Sequence, residues 1–408
     1  MLRFGVKYLI SSYCLCFSLI VSAECLFTTT TGVTVDGHYP RFAELSDGSV
    51  LMSADRYIVN EQGQGGQAIV IFRGDKNLLV WEEVVIAAYN PPANFSNAYL
   101  TVLKAKGSRP ETILLALRAW EGINSHIDVI QSTDKGKTWQ FRSQAFGENM
   151  GNLTNGESDD GSTVSDVGVY EPSLWVSHDG YNASGNETLF ITYASEVSAT
   201  ADHAYENEQV ILLQRSDDLG LSWSAPVVVT ENEPYQRFGM PAIIAVDNLM
   251  AVFYEQVDLT PERVYSWWDF KTRPAWKWSI RSALSVDGGH SWNSGYMMFD
   301  SRLGYVDNEG KSINYSGAPV VRFLRFPNSS VDTIGLIFQV ANIPTYADRN
   351  TAKVSPYYIG LTKEGIEFYR GPLPEPLSAW WASSFQHSIS GKIILAGDKE
   401  GCMQAGFY

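Results

Sequence analysis

The chain has only four cysteines among its 408 residues. Two of them, Cys14 and Cys16, fall in an apolar N-terminal stretch, which leaves Cys25 and Cys402 near the two ends. That is too few for a cysteine metal cluster or a disulfide framework. The six histidines show no metal-ligand spacing. There is no G-x-S-x-G elbow and no candidate catalytic thiol, so serine or cysteine nucleophiles and metal hydrolysis find no support, and no cofactor is expected. Basic residues are scarce: 30 Lys and Arg stand against 45 Asp and Glu, a formal charge of −15. Nucleic acid and anionic membrane surfaces need clustered positive charge, and both are disfavoured as partners. Helical periodicity is nearly absent, and beyond residue 23 no apolar run is long enough to span a bilayer.

The first residues read as an export signal: Arg3 and Lys7, an apolar run over residues 8–21, then Ser22 and Ala23. Cleavage is expected after Ala23, since Glu24 before Cys25 argues against lipoprotein processing. Residues 24–408 are then expected to be a single secreted, extracellular, monomeric domain, and losing Arg3 and Lys7 takes the charge from −15 to −17. In an oxidising compartment Cys25 and Cys402 are expected to pair and join the termini. Sequons at Asn94, Asn152, Asn182, Asn186, Asn314 and Asn328 fit a glycosylated exported protein.

What is abundant is a repeated turn. Residues 132–139 (STDKGKTW), 216–223 (SDDLGLSW) and 285–292 (SVDGGHSW) each follow S-x-D-x-G-x-[ST]-W after an apolar strand-like run. The Asp accepts backbone N–H groups, the Gly tolerates φ > 0, and the Trp plugs the adjacent apolar layer. This is the Asp-box, and it resembles the turn of sialidase-like β-propellers. It speaks for a repeated fold and, sitting on the outer rim, hardly at all for function.

A second pattern recurs: a small or aromatic residue, often with Pro, then an alternating strand, a turn and another β-rich run. It begins at Tyr39, Ala98, Tyr170, Gly239, Gly317 and Ala379. A box or its remnant follows each strand pair, decayed in residues 73–81 and 362–365. The sixth unit reads as ending after its second strand, so its outer strands are expected from residues 25–35. These readings predict an all-β, six-bladed propeller of four-stranded antiparallel blades, closed by N- and C-terminal strands.

In such a meander the start of strand one and the end of strand two share one end of the blade. The residues expected at one channel mouth are Arg41, Asp55, Trp120, Glu121, Glu171, Glu196, Met240, Glu255, Gln339, Trp380 and Trp381. Carboxylates do acid–base and nucleophilic work on glycosidic bonds, and aromatic faces stack on sugars. Glu171 lies between Tyr170 and Pro172, and Glu255 ends the apolar run 250–254. Each could instead serve in a salt bridge with Arg41, Arg237 or Arg281.

Tyr39-Pro40-Arg41-Phe42, Tyr170-Glu171-Pro172, Gly239-Met240-Pro241 and Phe253-Tyr254-Glu255 resemble glycoside hydrolase family 93, the exo-α-1,5-L-arabinanases. The resemblance implies a six-bladed propeller that releases arabinobiose from linear arabinan with retention. It further implies Glu171 and Glu255 as the catalytic pair, Glu171 as acid/base and Glu255 as nucleophile or the reverse, with the other mouth residues binding a polysaccharide or oligosaccharide. Two stretches depart from that pattern: the polar loop 152–166 and the Trp-rich insertion 263–278, either a substrate platform or a packed cap. A sialidase is the alternative enzyme, with Arg41, Arg281 and Arg322 as its carboxylate clamp. A non-catalytic glycan-binding propeller is the alternative outside enzymes.

Overall fold

The computed structural model describes residues 36–75, 77–78, 80–121, 124–149, 168–177, 187–196, 208–230, 235–246, 249–263, 272–274, 277–306, 310, 312–324, 333–342, 354–361, 367–372, 380–388, 390–391, 393–399 and 402–407. Blade one is β1 (His38–Glu44), β2 (Val50–Val59), β3 (Gly65–Gly74) and β4 (Trp81–Ala88), and blade two is β5 (Asn94–Leu103), β6 (Thr112–Glu121), β7 (Asn124–Ser132) and β8 (Gln140–Asn149). Blade three is β9 (Val169–Ser177), β10 (Thr188–Ser195), β11 (Val210–Ser216) and the short β12 (Val227–Val228). Blade four takes β13 (Gln236–Val246) and β14 (Leu249–Asp258), and then a two-stranded ribbon, β15 (Pro261–Arg263) with β16 (Thr272–Pro274), interrupts it. It resumes with β17 (Lys277–Ser285) and β18 (Asn293–Asp300). Blade five is β19 (Tyr315–Leu324), β20 (Thr333–Ala341), β21 (Val354–Leu361) and β22 (Glu367–Pro372), and blade six is β23 (Trp380–Gln386), β24 (Ile393–Lys399) and β25 (Cys402–Phe407).

The six first strands pack in a closed cycle, β1 to β5 to β9 to β13 to β19 to β23 and back to β1, which makes the molecule a six-bladed β-propeller. Second strands are buried along most of their length; β10 is buried throughout. Their runs of Val, Ile, Leu and Phe are sandwiched between neighbouring blades, which explains the near-continuous apolar sequence. At the seam, Phe42 of β1 packs on Phe385 of β23, ring centroids 6.0 Å apart. Glu44 accepts from Ser388 N (3.0 Å) and Ser388 Oγ (2.6 Å), so chain ends 344 residues apart are tied.

One expectation is corrected here. Blade six does not run out after two strands; its third, β25, comes from the C-terminal end of the chain. The reason is compactness: the turn after Lys399 is short enough for a further hairpin. Residues 25–35, proposed as outer strands, and with them Cys25 and the Cys25–Cys402 pairing, lie outside the described residues, as do residues 1–23 and the loop 152–166.

The three boxes close the hairpins between third and fourth strands. In the first, Asp134 Oδ1 accepts Lys137 N (3.0 Å), Thr138 N (2.9 Å) and Ser132 Oγ (2.8 Å), while Oδ2 accepts Thr138 Oγ1 (2.7 Å). Each box also leans on the preceding blade. In the second, Trp223 Nε1 donates to Ser143 Oγ of β8 (3.0 Å), and that hydroxyl donates to Gly220 O (2.6 Å). At Gly136, with φ +86°, a Cβ would meet Leu51 Cδ1 of blade one at 2.9 Å, so only glycine lets the turn seat there. The boxes are therefore staples between blades. In blade one the decayed copy keeps its plug: Asp75 Oδ1 accepts Val80 N (3.1 Å), and buried Trp81 donates to Leu78 O (3.1 Å).

Candidate active site

Every first strand carries the same irregularity near its start. Tyr39, Asn97, Glu171, Met240, Ala318 and Trp381 adopt left-handed backbone, φ between 49° and 57°. At each the pairing with strand two slips, two residues opposing one. Such a bulge turns a side chain that would face a neighbouring blade toward the ring axis. The residue after each is Pro or Ala: Pro40, Ala98, Pro172, Pro241, Pro319 and Ala382. Left-handed backbone is unusual for non-glycine residues, and six equivalent instances around one opening identify a built mouth. Tyr39, Met240 and Ala318 meet as a buried apolar cluster at its floor.

Bulged N–H groups have left the sheet ladder and must find acceptors elsewhere. Strand two of the preceding blade supplies them for three of the six. Asp55 Oδ2 accepts Asn97 N (2.8 Å), Glu255 Oε2 accepts Ala318 N (2.9 Å), and Gln339 Oε1 accepts Trp381 N (2.7 Å). Blade two has Arg118 in that place and blade three Ala194, neither of which offers a side-chain acceptor. In blade three Glu171, itself the bulged residue, reaches across and takes Met240 N at 2.6 Å.

This exception brings the two glutamates together. Glu171 binds the N–H of the Gly239–Met240 peptide from one side. On the other, a Cβ built on Gly239 would lie 3.1 Å from Glu255 Oε1. Chaining these contacts through standard bond lengths places the facing oxygens within about 10 Å. Both carboxylates are on the same face of the disc. Each spends Oε2 on one backbone N–H, and neither enters an ion pair among the described residues, so the salt-bridge reading fails for both. Glycine is needed around Glu255: a Cβ at Gly317 would stand 2.5 Å from its Oε2. The glycines that open GMPA and GAPV are thus the cradle of a carboxylate.

Burial raises the pKa of Glu171, against the positive field of Arg237, Arg118 and Arg41 and the Met240 N–H. Burial also pushes Glu255 up, to about 7, and the neighbouring Glu171 charge adds to it. Both acids are raised and each feels the other's charge, so they titrate as a pair. Asp55 is likewise pushed up to about 7 by burial, opposed by the Asn97 N–H and Arg41.

The remaining expected mouth residues divide by role. Arg41 is buried, stacks 3.7 Å over the Tyr39 ring, and donates to Pro40 O (2.8 Å) and Trp381 O (3.4 Å). Met240 lies in the floor and Trp381 is exposed beside it. Trp380 continues an aromatic wall with Tyr315 (5.5 Å) and Trp278 (4.5 Å from Tyr315), so the described end of the Trp-rich insertion packs against the mouth. Glu196 is a bracket: it accepts Gly168 N (3.0 Å), Tyr170 Oη (2.9 Å) and Gln209 Nε2 (3.0 Å) and pairs with Arg237 (3.3 Å). Trp120 has Arg118 over its ring at 4.4 Å, and the same guanidinium covers Tyr170 at 4.0 Å. Glu121 is exposed at the end of β6. Sequence reasoning missed Tyr39, Tyr170 and Arg118, although the recurrent Pro or Ala after each bulge was a usable signal.

The arginine clamp expected of a sialidase is not assembled. Arg281 sits on the third strand of blade four and donates to Gly295 O (2.8 Å) in the outermost strand. Arg322 is spent on the Tyr99 hydroxyl and Ser384 O (3.3 Å) of first strands. Strand position decides this: four residues beyond the bulged Ala318, or two strands outward from the first, is a different layer of the blade.

No family model matches the sequence, and no curated protein matches it. The fold, however, is shared. A Penicillium chrysogenum α-L-arabinanase solved with arabinobiose superposes with a TM-score of 0.63 at 17% identity, over 94% of this chain and 96% of that one. A GH93 α-L-arabinofuranosidase of Fusarium graminearum, also with arabinobiose, gives 0.61 at 18% over 95% and 96%. A Trypanosoma rangeli sialidase with sialic acid gives 0.50 at 11% over 94% of this chain and 56% of that one.

Proposed function

We propose that the protein is a glycoside hydrolase acting on an α-linked arabinan, by a retaining mechanism that uses Glu171 and Glu255. The observation that carries this reading is the pair itself. Two glutamates, Glu255 buried and Glu171 half-buried, border one peptide in an aromatic-walled mouth, each with one oxygen fixed by the backbone and the other uncommitted among the described residues. The fold shared with arabinan-degrading propellers supports the substrate class.

The chemistry follows from the charges. A glycosidase needs one carboxylic acid to protonate the leaving oxygen and one carboxylate to meet the sugar carbon. A coupled pair in which both acids are raised offers both at once in the state that holds one proton. In the retaining form, Glu171 gives its proton to the departing sugar while Glu255 attacks the anomeric carbon. Glu171, now a base, then takes a proton from the water that releases the sugar. Backbone N–H groups on Met240 and Ala318 hold the carboxylates in place without neutralising them. Release of arabinobiose, export from the cell and action as a monomer belong to the same proposal.

The test is product analysis. Purified protein is incubated with debranched linear arabinan and, separately, with sialyllactose. Arabinobiose of retained configuration is expected from the first and nothing from the second. Free sialic acid would overturn the reading in favour of a sialidase, and binding without turnover in favour of a lectin.

A further inference from the structure

Opposite the glutamate pair, where blades six and one meet, the mouth carries a second group of chemistry-bearing side chains. His38 occupies the position just before the bulge of β1, held by Gly239 and Gly317 beside Glu255. Its Nδ1 lies 2.9 Å from Asp398 Oδ2 of β24; the Asp398 side chain is 9% exposed and that of His38 45%. No bond to Nε2 occurs among the described residues. Trp381 stands edge-on to the imidazole at 6.3 Å and 89°.

Trp381 is itself held by force. A tryptophan at φ 50° is a strained residue, and such strain persists only where surroundings impose it. Here Gln339 accepts its N–H (2.7 Å), and the Gln339 amide donates to Tyr315 Oη (2.7 Å). Arg41 donates to its carbonyl at 3.4 Å. The indole nevertheless remains 38% exposed. An exposed aromatic face next to an oriented imidazole is the composition of a sugar subsite: C–H groups on the ring, a hydroxyl on the nitrogen.

We propose that His38 and Trp381, with Asp398 orienting the imidazole, bind the sugar unit adjacent to the one cleaved by Glu171 and Glu255. This rests on the glycosidase reading above. Trp381 covers the apolar face of the unit, and His38 Nε2 donates to one of its oxygens. The unit is neutral, because Asp398, Asp55 and Asp36 all face His38 and repel an anionic sugar; Arg41 on the same strand is engaged with Tyr39 and two carbonyls. The contact with Asp398 raises the His38 pKa from 6.5, with Asp55 and Asp36 adding and burial opposing. Donation from Nε2 is assured while both nitrogens carry protons.

Steady-state kinetics on a linear arabino-oligosaccharide of three units test this. His38→Ala is expected to raise KM about tenfold with kcat within about twofold, the loss of one charge-assisted hydrogen bond. His38→Gln, which keeps a donor, is expected to recover part of the loss. Wild-type KM is expected to rise as pH passes above the His38 pKa, while the KM of His38→Ala stays level over that range. Melting temperatures confirm that the variants fold. An unchanged KM in folded His38→Ala, or a fall in kcat with KM unaltered, overturns the subsite. A wild type inactive on every arabinan removes the glycosidase reading and this inference together; an active wild type with an indifferent His38→Ala removes only the inference.

Discussion

Rim and mouth of this propeller are both built around carboxylates, and the two sets behave in opposite ways. At the rim, Asp134 accepts four hydrogen bonds within its own turn and is held down at about 2; Asp218 and Asp287 are also lowered. At the mouth, Asp55 and Glu255 are buried, accept little beyond single backbone N–H groups, and are pushed up to about 7. Donor number and burial decide the outcome, since the side-chain chemistry is the same. A carboxylate with every lone pair occupied is a structural anion. One that is buried and half-satisfied keeps a proton available near neutrality.

The largest expected effect lies at the mouth. Glu171→Gln and Glu255→Gln should each lower kcat by about 10²–10⁴-fold, the usual share of a positioned acid or base, while leaving melting temperature nearly unchanged. Gln339 shows why folding survives, because its amide caps the bulged N–H of blade six as Glu255 caps that of blade five. Near wild-type turnover in either variant would place that residue among the structural caps.

Gly317→Ala should come next. Its Cβ would stand 2.5 Å from Glu255 Oε2 and 2.6 Å from Tyr315 Oη, so the carboxylate must shift. A displacement of that order costs up to about 100-fold in rate, and overpacking costs ~1–3 kcal/mol of stability. A variant with full activity would show that Glu255 does not need its present position.

The rim predicts the converse. Asp218→Ala removes the acceptor for Leu221 N, Ser222 N, Ser222 Oγ and Ser216 Oγ. Stability should fall by about 1–2 kcal/mol with kcat and KM unchanged. Chemical denaturation beside an activity assay checks this; lost turnover at unaltered stability would erase the distinction between rim and mouth.

The smallest effect is in the pH dependence of stability, where the two regions differ in sign. The rim aspartates have folded pKa values below the unfolded 3.8, so their stabilisation is present above that pH and is lost as pH falls. Asp55 is raised, so the folded chain holds a proton that the unfolded chain releases above 3.8. Its contribution therefore declines as pH rises from about 4 through 7. Asp55→Asn should flatten the fall in melting temperature between those values, and a slope equal to wild type would refute the assignment.

Much of this architecture was legible in the chain. Three boxes with their Trp, six strand-pair starts and the absence of helical periodicity identify the propeller, because each is a local preference repeated. The position of Glu171 and Glu255 at one mouth was also legible, through strand polarity. Legibility stopped where the explanation is relational. The third strand of blade six depended on whether a short final segment found an edge to pair with. The scattering of Arg41, Arg281 and Arg322 depended on layer within a blade, which composition does not encode.

The sequence alone determined a ring of similar β units with acidic and aromatic residues at strand ends, since turn chemistry and period-two patterning act over a few residues. Tertiary structure decided that Ala194 leaves one bulged N–H without its usual acceptor, so that Glu171 crosses to Met240 and comes to face Glu255. That juxtaposition depends on the hydrogen-bond needs of a neighbouring blade, and a neighbouring blade exists only once the ring has closed.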